Sequence, residues 1–171
     1  MNGLDKVIEF LLSIIQVFWF WRVIPINKKG VRLRFGKNPI ILDAGFYFVY
    51  PFEIDNIKTC VTTPEWGSSE SVHITTADYK TITVSPTIKY KIVDAIKWVY
   101  AENDAITNLY EIMRVVTVDI LSDCNFEDCL KKSTYTRIKN KIKDKSEDLG
   151  IEILDFGLTS LSISRIIITQ V

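Results

Sequence analysis

Residues 81–92, TITVSPTIKYKI, alternate between apolar and polar side chains over twelve consecutive positions. An alternation with a period of two predicts a β-strand with one dry face and one wet face. Because the dry face must be covered, such a strand requires a second layer of structure. Pro86 falls on the apolar face and has no N–H for the ladder, so we expect an edge position or a β-bulge there.

Shorter apolar runs predict further strands on both sides of this one. Gly and Pro residues mark the ends of several of these runs. The segment Glu65–Ser69, EWGSS, predicts a turn between two of them. The predicted strands are Gly30–Gly36, Gly45–Phe52, Ile54–Thr63, Ser71–Thr76 and Ile151–Ile163.

Between residues 93 and 149 the apolar side chains recur every three or four positions, which predicts helices. The helices are Val93–Tyr100, Asn103–Leu121 and Ser133–Leu149, with a single turn at Phe126–Leu130, and Gly150 ends the last of them. Strands followed by helices and one final strand predict an α+β domain. We expect a small, mostly antiparallel sheet with helices packed on one of its faces.

An apolar segment precedes the first strand. Val7–Ile26 reads VIEFLLSIIQVFWFWRVIPI, and Glu9 and Arg22 are its only charged residues. This length suffices for a helix in a bilayer, and the bulky aromatic residues before Arg22 argue against cleavage of a signal peptide. We expect residues 1–26 to form a membrane anchor helix that either spans the bilayer or dips into it as a hairpin. A buried helix of a soluble domain is the alternative.

The polar residues of this helix lie on one side of it. Asp5, Glu9, Ser13 and Gln16 fall within a stripe of roughly 80°, which predicts contact with a neighbouring helix in the membrane. Arg22 and several further basic residues follow the segment, whereas Lys6 alone precedes it. The positive-inside tendency therefore predicts a membrane-associated protein whose domain lies on the cytoplasmic side.

A second aromatic segment, Gly45–Phe52 (GFYFVYPF), follows soon after the first. Its phenylalanines, Phe52 included, are either core residues of a strand or a second membrane contact, with tyrosines at the level of the headgroups. The residues that we expect to contact the membrane are Phe10, Leu11, Leu12, Ile14, Ile15, Phe18, Trp19, Phe20, Trp21, Phe46, Tyr47, Phe48 and Tyr50.

The chain contains none of the motifs that carry catalysis or phosphate binding, so we expect no catalytic residue, no cofactor and no metal site. Cys60, Cys124 and Cys129 have neither zinc-site nor redox spacing, which predicts reduced thiols, with acylation of Cys60 as an alternative. The single histidine, His73, predicts a surface residue.

Charge excludes nucleic acid as a partner. The chain has 21 basic and 21 acidic residues, so no field of the whole molecule attracts a polyanion. A basic run between residues 131 and 145 predicts a solvated helix exterior. Contact with acidic lipid or with an acidic neighbouring subunit is the alternative. The run lacks the aromatic residues on which bases stack.

The segment IPINKKGVRLRFGKNPIILDAGFYFVYPF resembles the opening of the SPFH or band 7 domains of stomatins, prohibitins and flotillins. The resemblance extends from about Val7 to Ile163, although Ala44 stands where the family usually has Pro. The motifs that carry it are Pro25, Gly30-Val31, Phe35-Gly36-Lys37, Gly45 with Pro51-Phe52, Thr75–Asp78 before the strand that ends at Tyr90, and LGIEILDFGLTSLSI near the C-terminus.

The resemblance implies a non-enzymatic, membrane-anchored scaffold. Family members assemble into homo-oligomeric rings or cages that organise lipids or membrane proteins, and a membrane protease is a candidate partner. A monomeric membrane adaptor or regulator that binds one membrane protein is the alternative. We expect the anchor at 1–26, the SPFH domain at 27–163 and, in place of the usual coiled-coil extension, a short tail at 164–171. The expected oligomer contacts are Glu9, Ser13, Gln16, Ile166, Ile167 and Ile168.

Overall fold

A computed structural model of the chain describes residues 6, 8–10, 21–50, 54–101 and 104–163. The chain divides into two compact units, an N-terminal unit of Met1–Val61 and a C-terminal unit of Thr62–Val171. Both strands and helices are present and every paired strand is antiparallel. The predicted α+β class is therefore confirmed, with three small sheets in the described residues instead of one.

The N-terminal unit consists of two of these sheets. One is a two-stranded ribbon and the other has the order β3-β2-β5. Val31 at the centre of the second sheet is completely buried, and Ile24 from the ribbon lies so close to Gly30 that a Cβ there would collide with it. The strands are β1 (Trp21–Ile24), β2 (Lys28–Arg34), β3 (Lys37–Leu42), β4 (Gly45–Phe48) and β5 (Asp55–Val61).

The start of this unit corrects the predicted anchor helix. Residues 6 and 8–10 are helical, and residues 11–20 lie outside the described residues. The prediction that the helix continues to Ile26 is wrong, because Trp21–Ile24 is a strand that pairs with Gly45–Phe48. In this segment Trp21 and Val23 alternate with Arg22, which is the period of two that is typical of a strand. Pairing with β4 then satisfies its backbone hydrogen bonds.

Strand β3 has no counterpart in the sequence-based prediction. A tight turn reverses the chain between β2 and β3, with positive φ at Phe35, Gly36 and Asn38. A register irregularity between Arg32 and Arg34 accompanies this turn. Pairing with β2 makes residues 37–42 a strand, although two of their apolar side chains, Ile40 and Ile41, remain about half exposed.

The C-terminal unit contains a four-stranded sheet around a long central strand, β8. Strands β6 and β7 pair end to end with one side of β8, and β9 pairs with the other side along its whole length. The bounds predicted for β8 and β9 are confirmed. The strands are β6 (Glu65–Ser68), β7 (Val72–Thr75), β8 (Thr81–Ile92) and β9 (Ile151–Ile163).

Two details of this sheet differ from expectation. The predicted turn at residues 65–69 is wrong for Glu65–Ser68, which pairs with Thr87–Tyr90; Gly67 provides space for the ring of Tyr110 there. Pro86 lies on a central strand, so the edge alternative is wrong, and the bulge is confirmed by a register shift between Ser85 and Pro86 in the pairing with β9.

Helices cover the apolar face of this sheet. In α2 (Ala105–Ser122), Leu109, Met113, Val116 and Ile120 are buried, and α4 (Lys132–Lys145) buries Ile138 against β9. The predicted helix Ser133–Leu149 is instead a helix followed by a 3₁₀ turn, Glu147–Leu149. The helices are α1 (Ala95–Val99), α2 (Ala105–Ser122), α3 (Phe126–Cys129) and α4 (Lys132–Lys145).

Candidate functional site

The β1–β4 ribbon of the N-terminal unit has one apolar face that points away from the core. Its register places Trp21 opposite Phe48 and Val23 opposite Phe46. Since paired residues of an antiparallel ribbon share a face, these four side chains form one surface, which we call the aromatic ribbon face. Ile24, on the opposite face, is only 2% exposed.

The aromatic ribbon face is exposed but internally ordered. Trp21, Val23, Phe46 and Phe48 retain 51%, 67%, 61% and 44% of their accessible surface. The Trp21 ring stacks on Phe46 with 4.7 Å between centroids and meets Phe48 edge-on at 5.4 Å. Aromatic pairs of this kind hold each other in defined orientations. The face is therefore a rigid apolar surface without a covering layer among the described residues.

Tyr50 extends this face and connects it to a buried carboxylate. Its ring meets Phe48 edge-on at 5.5 Å and lies under the Arg34 guanidinium, 4.9 Å from the ring centroid. Arg34 donates from Nε and Nη2 to the two carboxylate oxygens of Asp55, over 3.0 and 3.4 Å. The backbone N–H of Tyr50 donates to the same carboxylate over 3.2 Å. This network fixes the end of the ribbon.

The electrostatics of Asp55 follow from these contacts. Burial on its own raises the pKa of the carboxyl, but the hydrogen bonds from Arg34 and the Tyr50 N–H outweigh it and bring the pKa below the ordinary value. The hydrogen bond between Arg34 and Asp55 also raises the pKa of the Arg34 guanidinium. The pair is thus charged across the physiological pH range.

The chain's charge is unevenly distributed, although it sums to zero. Residues 21–61 contain seven Lys and Arg and three Asp and Glu, a net charge of +4, whereas residues 62–171 contain thirteen and sixteen, a net charge of −3. Arg34 is exposed beside the aromatic ribbon face, where it lies over the ring of Tyr50, whereas Arg22 is exposed on the opposite face of the ribbon. An exposed apolar surface in a unit of net positive charge suits the headgroup region of a membrane with anionic lipids.

The predicted membrane contacts are distributed as follows. Trp21, Phe46 and Phe48 lie together on the aromatic ribbon face, so the alternative that these phenylalanines belong to the core is wrong. Tyr50 adjoins the face, and Tyr47 lies on the other side of the ribbon, opposite Arg22. Phe10 is exposed on a helical residue, as is Glu9. The other residues predicted to contact the membrane lie outside the described residues; they are Leu11, Leu12, Ile14, Ile15, Phe18, Trp19, Phe20 and Phe52. The same holds for the predicted oligomer contacts Ser13, Gln16, Ile166, Ile167 and Ile168.

Several exposed apolar residues of this unit were missed. Val23 belongs to the aromatic ribbon face, and Ile26 and Phe35 are 93% and 72% exposed. Val23 could have been found from its alternation with Arg22 beside Trp21. Ile40 and Ile41 do not alternate with polar residues. They are adjacent on one strand and both are exposed, so no pattern in the sequence marks them.

The cysteines and the single histidine lie in different environments. Cys60 is buried and burial raises its thiol pKa, which makes acylation unfavourable. His73 is exposed, as predicted, and its Nδ1 lies 2.9 Å from the Thr83 hydroxyl. Within the described ranges, no three His, Cys, Asp or Glu side chains are grouped in a way that could hold a metal ion. All three cysteines are free thiols, as predicted.

No helix in the described part of the chain combines the length and the apolar character that crossing a bilayer requires. In the comparison with known families, the model for the SPFH domain / Band 7 family matches residues 22–170. The match begins at Arg22 and extends over parts of both units. The search of curated proteins returned no match.

Proposed function

Because the chain belongs to the SPFH domain / Band 7 family, we propose that it is a membrane-anchored scaffold that assembles with further copies of itself into a ring or cage. The family consists of membrane-associated scaffolds that are generally not enzymes. In this proposal the assembly organises lipids or membrane proteins, a membrane protease among them. The apolar N-terminal segment provides the anchor, and the domain lies on the cytoplasmic side because basic residues follow that segment.

The aromatic ribbon face is the observation that supports membrane contact by the domain itself. Trp21 follows directly after the apolar residues 10–20 in the sequence, so an inserted segment would bring this face close to the bilayer. Covering the exposed half of each aromatic side chain contributes about 1 kcal/mol. Each nearby Lys or Arg adds about 1 kcal/mol on an anionic surface. Together these terms are sufficient to hold the face in the headgroup region.

The membrane contact can be tested with a fluorophore at position 46. Phe46→Cys in a Cys124→Ser background is labelled with an environment-sensitive dye, and the full chain is reconstituted into vesicles that contain brominated lipids. Trp66→Cys is the matched control, because Trp66 is 60% exposed, close to the 61% of Phe46, but lies in the other unit. We expect bromine to quench the label at 46 and not the label at 66. Equal quenching, or none at 46, would contradict the proposal.

Self-assembly is a separate part of the proposal and needs its own measurement. Protein extracted in a mild detergent is analysed by native mass spectrometry and negative-stain microscopy. Closed particles of many copies are expected for a scaffold. Monomers would support the adaptor instead, in which the chain binds one membrane protein without self-association.

A further inference from the structure

Charge is strongly separated along the sequence of the C-terminal unit, although Lys131 and Lys141 form salt bridges with Asp128 and Asp119. Residues 131–145, which include α4, contain seven basic residues and one acidic residue, whereas the rest of residues 62–171 contain six basic and fifteen acidic residues. The net charges are +6 and −9. A helix that is simply solvated gains nothing from such separation, and a matching acidic surface is the natural counterpart of a basic one.

The basic side of the unit is a groove between α4 and the outer edge of β9. This groove has a volume of about 520 Å³, and Lys132 and Lys139 are among its lining residues. Lys143 lies outside the lining of the groove but continues the stripe of Lys132 and Lys139 along the helix. Lys139 donates to the Leu154 carbonyl over 2.5 Å, while Lys132 and Lys143 form no salt bridge with any described residue. Asp155 alone opposes these cations in the groove.

The acidic side is a second groove, between the end of β6 and α2. It has a volume of about 430 Å³ and is lined in part by Glu70, Glu111 and Arg114. Glu65, on β6 itself, is exposed as well. Within the part of the chain that the structure describes, none of these three glutamates takes part in a salt bridge.

The two grooves lie at opposite edges of the same sheet. Strand β6 flanks one side of β8, and β9 flanks the other side. Both outer strands pair only with β8, so each copy of the unit presents a basic edge and an acidic edge at the same time. When the basic edge of one copy contacts the acidic edge of another, the pair still has one free basic edge and one free acidic edge. Further copies can therefore be added in the same way.

We infer that the partner of the α4–β9 groove is the β6–α2 groove of a second copy of this chain. This inference rests on the proposed scaffold and names the surfaces through which its copies meet side by side. Repetition of this head-to-tail contact forms a ring when the rotation between copies closes. The positive groove is thereby used for an acidic neighbouring subunit and not for anionic lipid.

Charge reversal and restoration test this contact. One variant carries Lys132→Glu and Lys143→Glu, a second carries Glu70→Lys and Glu111→Lys, and a third carries all four changes. We expect each double variant to raise the concentration at which half of the detergent-extracted chain is assembled by about tenfold or more. The fourfold variant should recover assembly, because its edges are complementary again. Recovery also shows that all four substitutions are compatible with folding.

The control variant reverses two exposed lysines of the same unit that line neither groove, Lys91→Glu with Lys97→Glu. It should assemble like the original chain. Raising the salt concentration should weaken assembly of the original chain and of the fourfold variant alike, since exposed charges are screened.

The outcomes separate this inference from the proposal on which it rests. If the original chain is monomeric, both are overturned. If the original chain assembles and the double variants assemble equally well, only the contact is overturned. If Lys132→Glu with Lys143→Glu lowers binding to anionic vesicles and leaves particle size unchanged, the groove contacts lipid and the inference is wrong.

Discussion

Arg34 faces Asp55 across neighbouring strands β2 and β5, with its Nε 3.0 Å from Asp55 Oδ1. The Asp55 side chain is completely buried, whereas the Arg34 side chain keeps 43% of its exposure. The same carboxylate accepts the backbone N–H of Tyr50, and Tyr50 contacts the aromatic ribbon face through Phe48. One buried carboxylate thus supports both the sheet and the surface that we propose for membrane contact.

Replacing this carboxylate should destabilise the N-terminal unit. Asp55→Asn removes the ion pair and weakens three charge-assisted hydrogen bonds, and we expect the free energy of unfolding to fall by about 2 kcal/mol. Equilibrium unfolding in urea, followed by the fluorescence of Trp21 in a chain whose other tryptophans are replaced by Phe, measures the change.

Asp43→Asn is the matched control for this change. Asp43 also pairs with a β2 residue, Lys29, but at 3.7 Å and with 79% of its side chain exposed. Its replacement should change stability by less than about 0.5 kcal/mol. Equal effects of the two substitutions would show that burial of Asp55 is unimportant.

Stability of the C-terminal unit should depend on pH through Asp78. Hydrogen bonds from the Thr76 hydroxyl and Lys80, with a further one from the Phe126 N–H, lower the pKa of Asp78 from 3.8 to about 2. Because the folded-state pKa lies below the unfolded one, the stabilisation is complete well above 3.8 and is lost as the pH falls towards 2. Asp78→Asn should therefore lower the melting temperature at pH 7. The difference in melting temperature between this variant and the original chain should shrink as the pH falls from 3.8 towards 2.

Asp144 offers a control for this pH effect, because it is exposed on α4 and forms no salt bridge with a described residue. Asp144→Asn should leave the melting temperature nearly unchanged at pH 7. If the difference in melting temperature between Asp78→Asn and the original chain stays constant from pH 7 to pH 2, Asp78 is not the group responsible for the pH dependence.

Gly150 should tolerate substitution less well than Gly36, although both have a φ of +69°. A Cβ at Gly150 would lie 2.7 Å from the Asp94 carbonyl oxygen, whereas a Cβ at Gly36 would have no neighbour within 4 Å. Gly36→Ala should lower the free energy of unfolding by only about 1 kcal/mol, because the sole cost is that of an alanine in a left-handed backbone conformation. Gly150→Ala also collides with the backbone, and we expect a loss of about 3 kcal/mol. Urea midpoints of the two variants test the order, and a reversed order would be inconsistent with the close packing around Gly150.

The three thiols should differ in their reactivity towards iodoacetamide. Cys60 is buried, and Cys129 is buried with its Sγ directed at the Leu121 carbonyl, 3.8 Å away. Burial raises the pKa of Cys129 to about 11, so very little reactive thiolate is present at pH 8. Cys124 is partly exposed and should be modified first. Peptide mass mapping during the reaction identifies the order, and early modification of Cys60 would revive the acylation alternative.

Much of the C-terminal unit could be read from the sequence. The bounds of β8 and β9 agree with the prediction, because long periodic segments encode both the type of element and the face that it buries. Pro86 was placed on the apolar face correctly. Its position on a central strand was not foreseeable, because strand order depends on residues far away in the chain.

The short strands were harder to predict. Glu65–Ser68 contains Gly and Ser and reads as a turn, yet it pairs with β8 because its glycine admits the ring of Tyr110. The N-terminal apolar segment was predicted to remain helical to Ile26, yet Trp21–Ile24 pairs with β4. In both places a distant partner supplied hydrogen bonds that outweigh local preference.

The sequence by itself determined the α+β class, the resemblance to one family, the absence of catalytic motifs and the aromatic residues beside the apolar segment. Only the tertiary structure decided which of those aromatic residues share a face, since this depends on the register of Trp21 against Phe48. It also decided that the basic α4 and the acidic end of β6 lie on opposite edges of one sheet. Composition and period act locally along the chain, whereas register and strand order are set by contacts between distant segments.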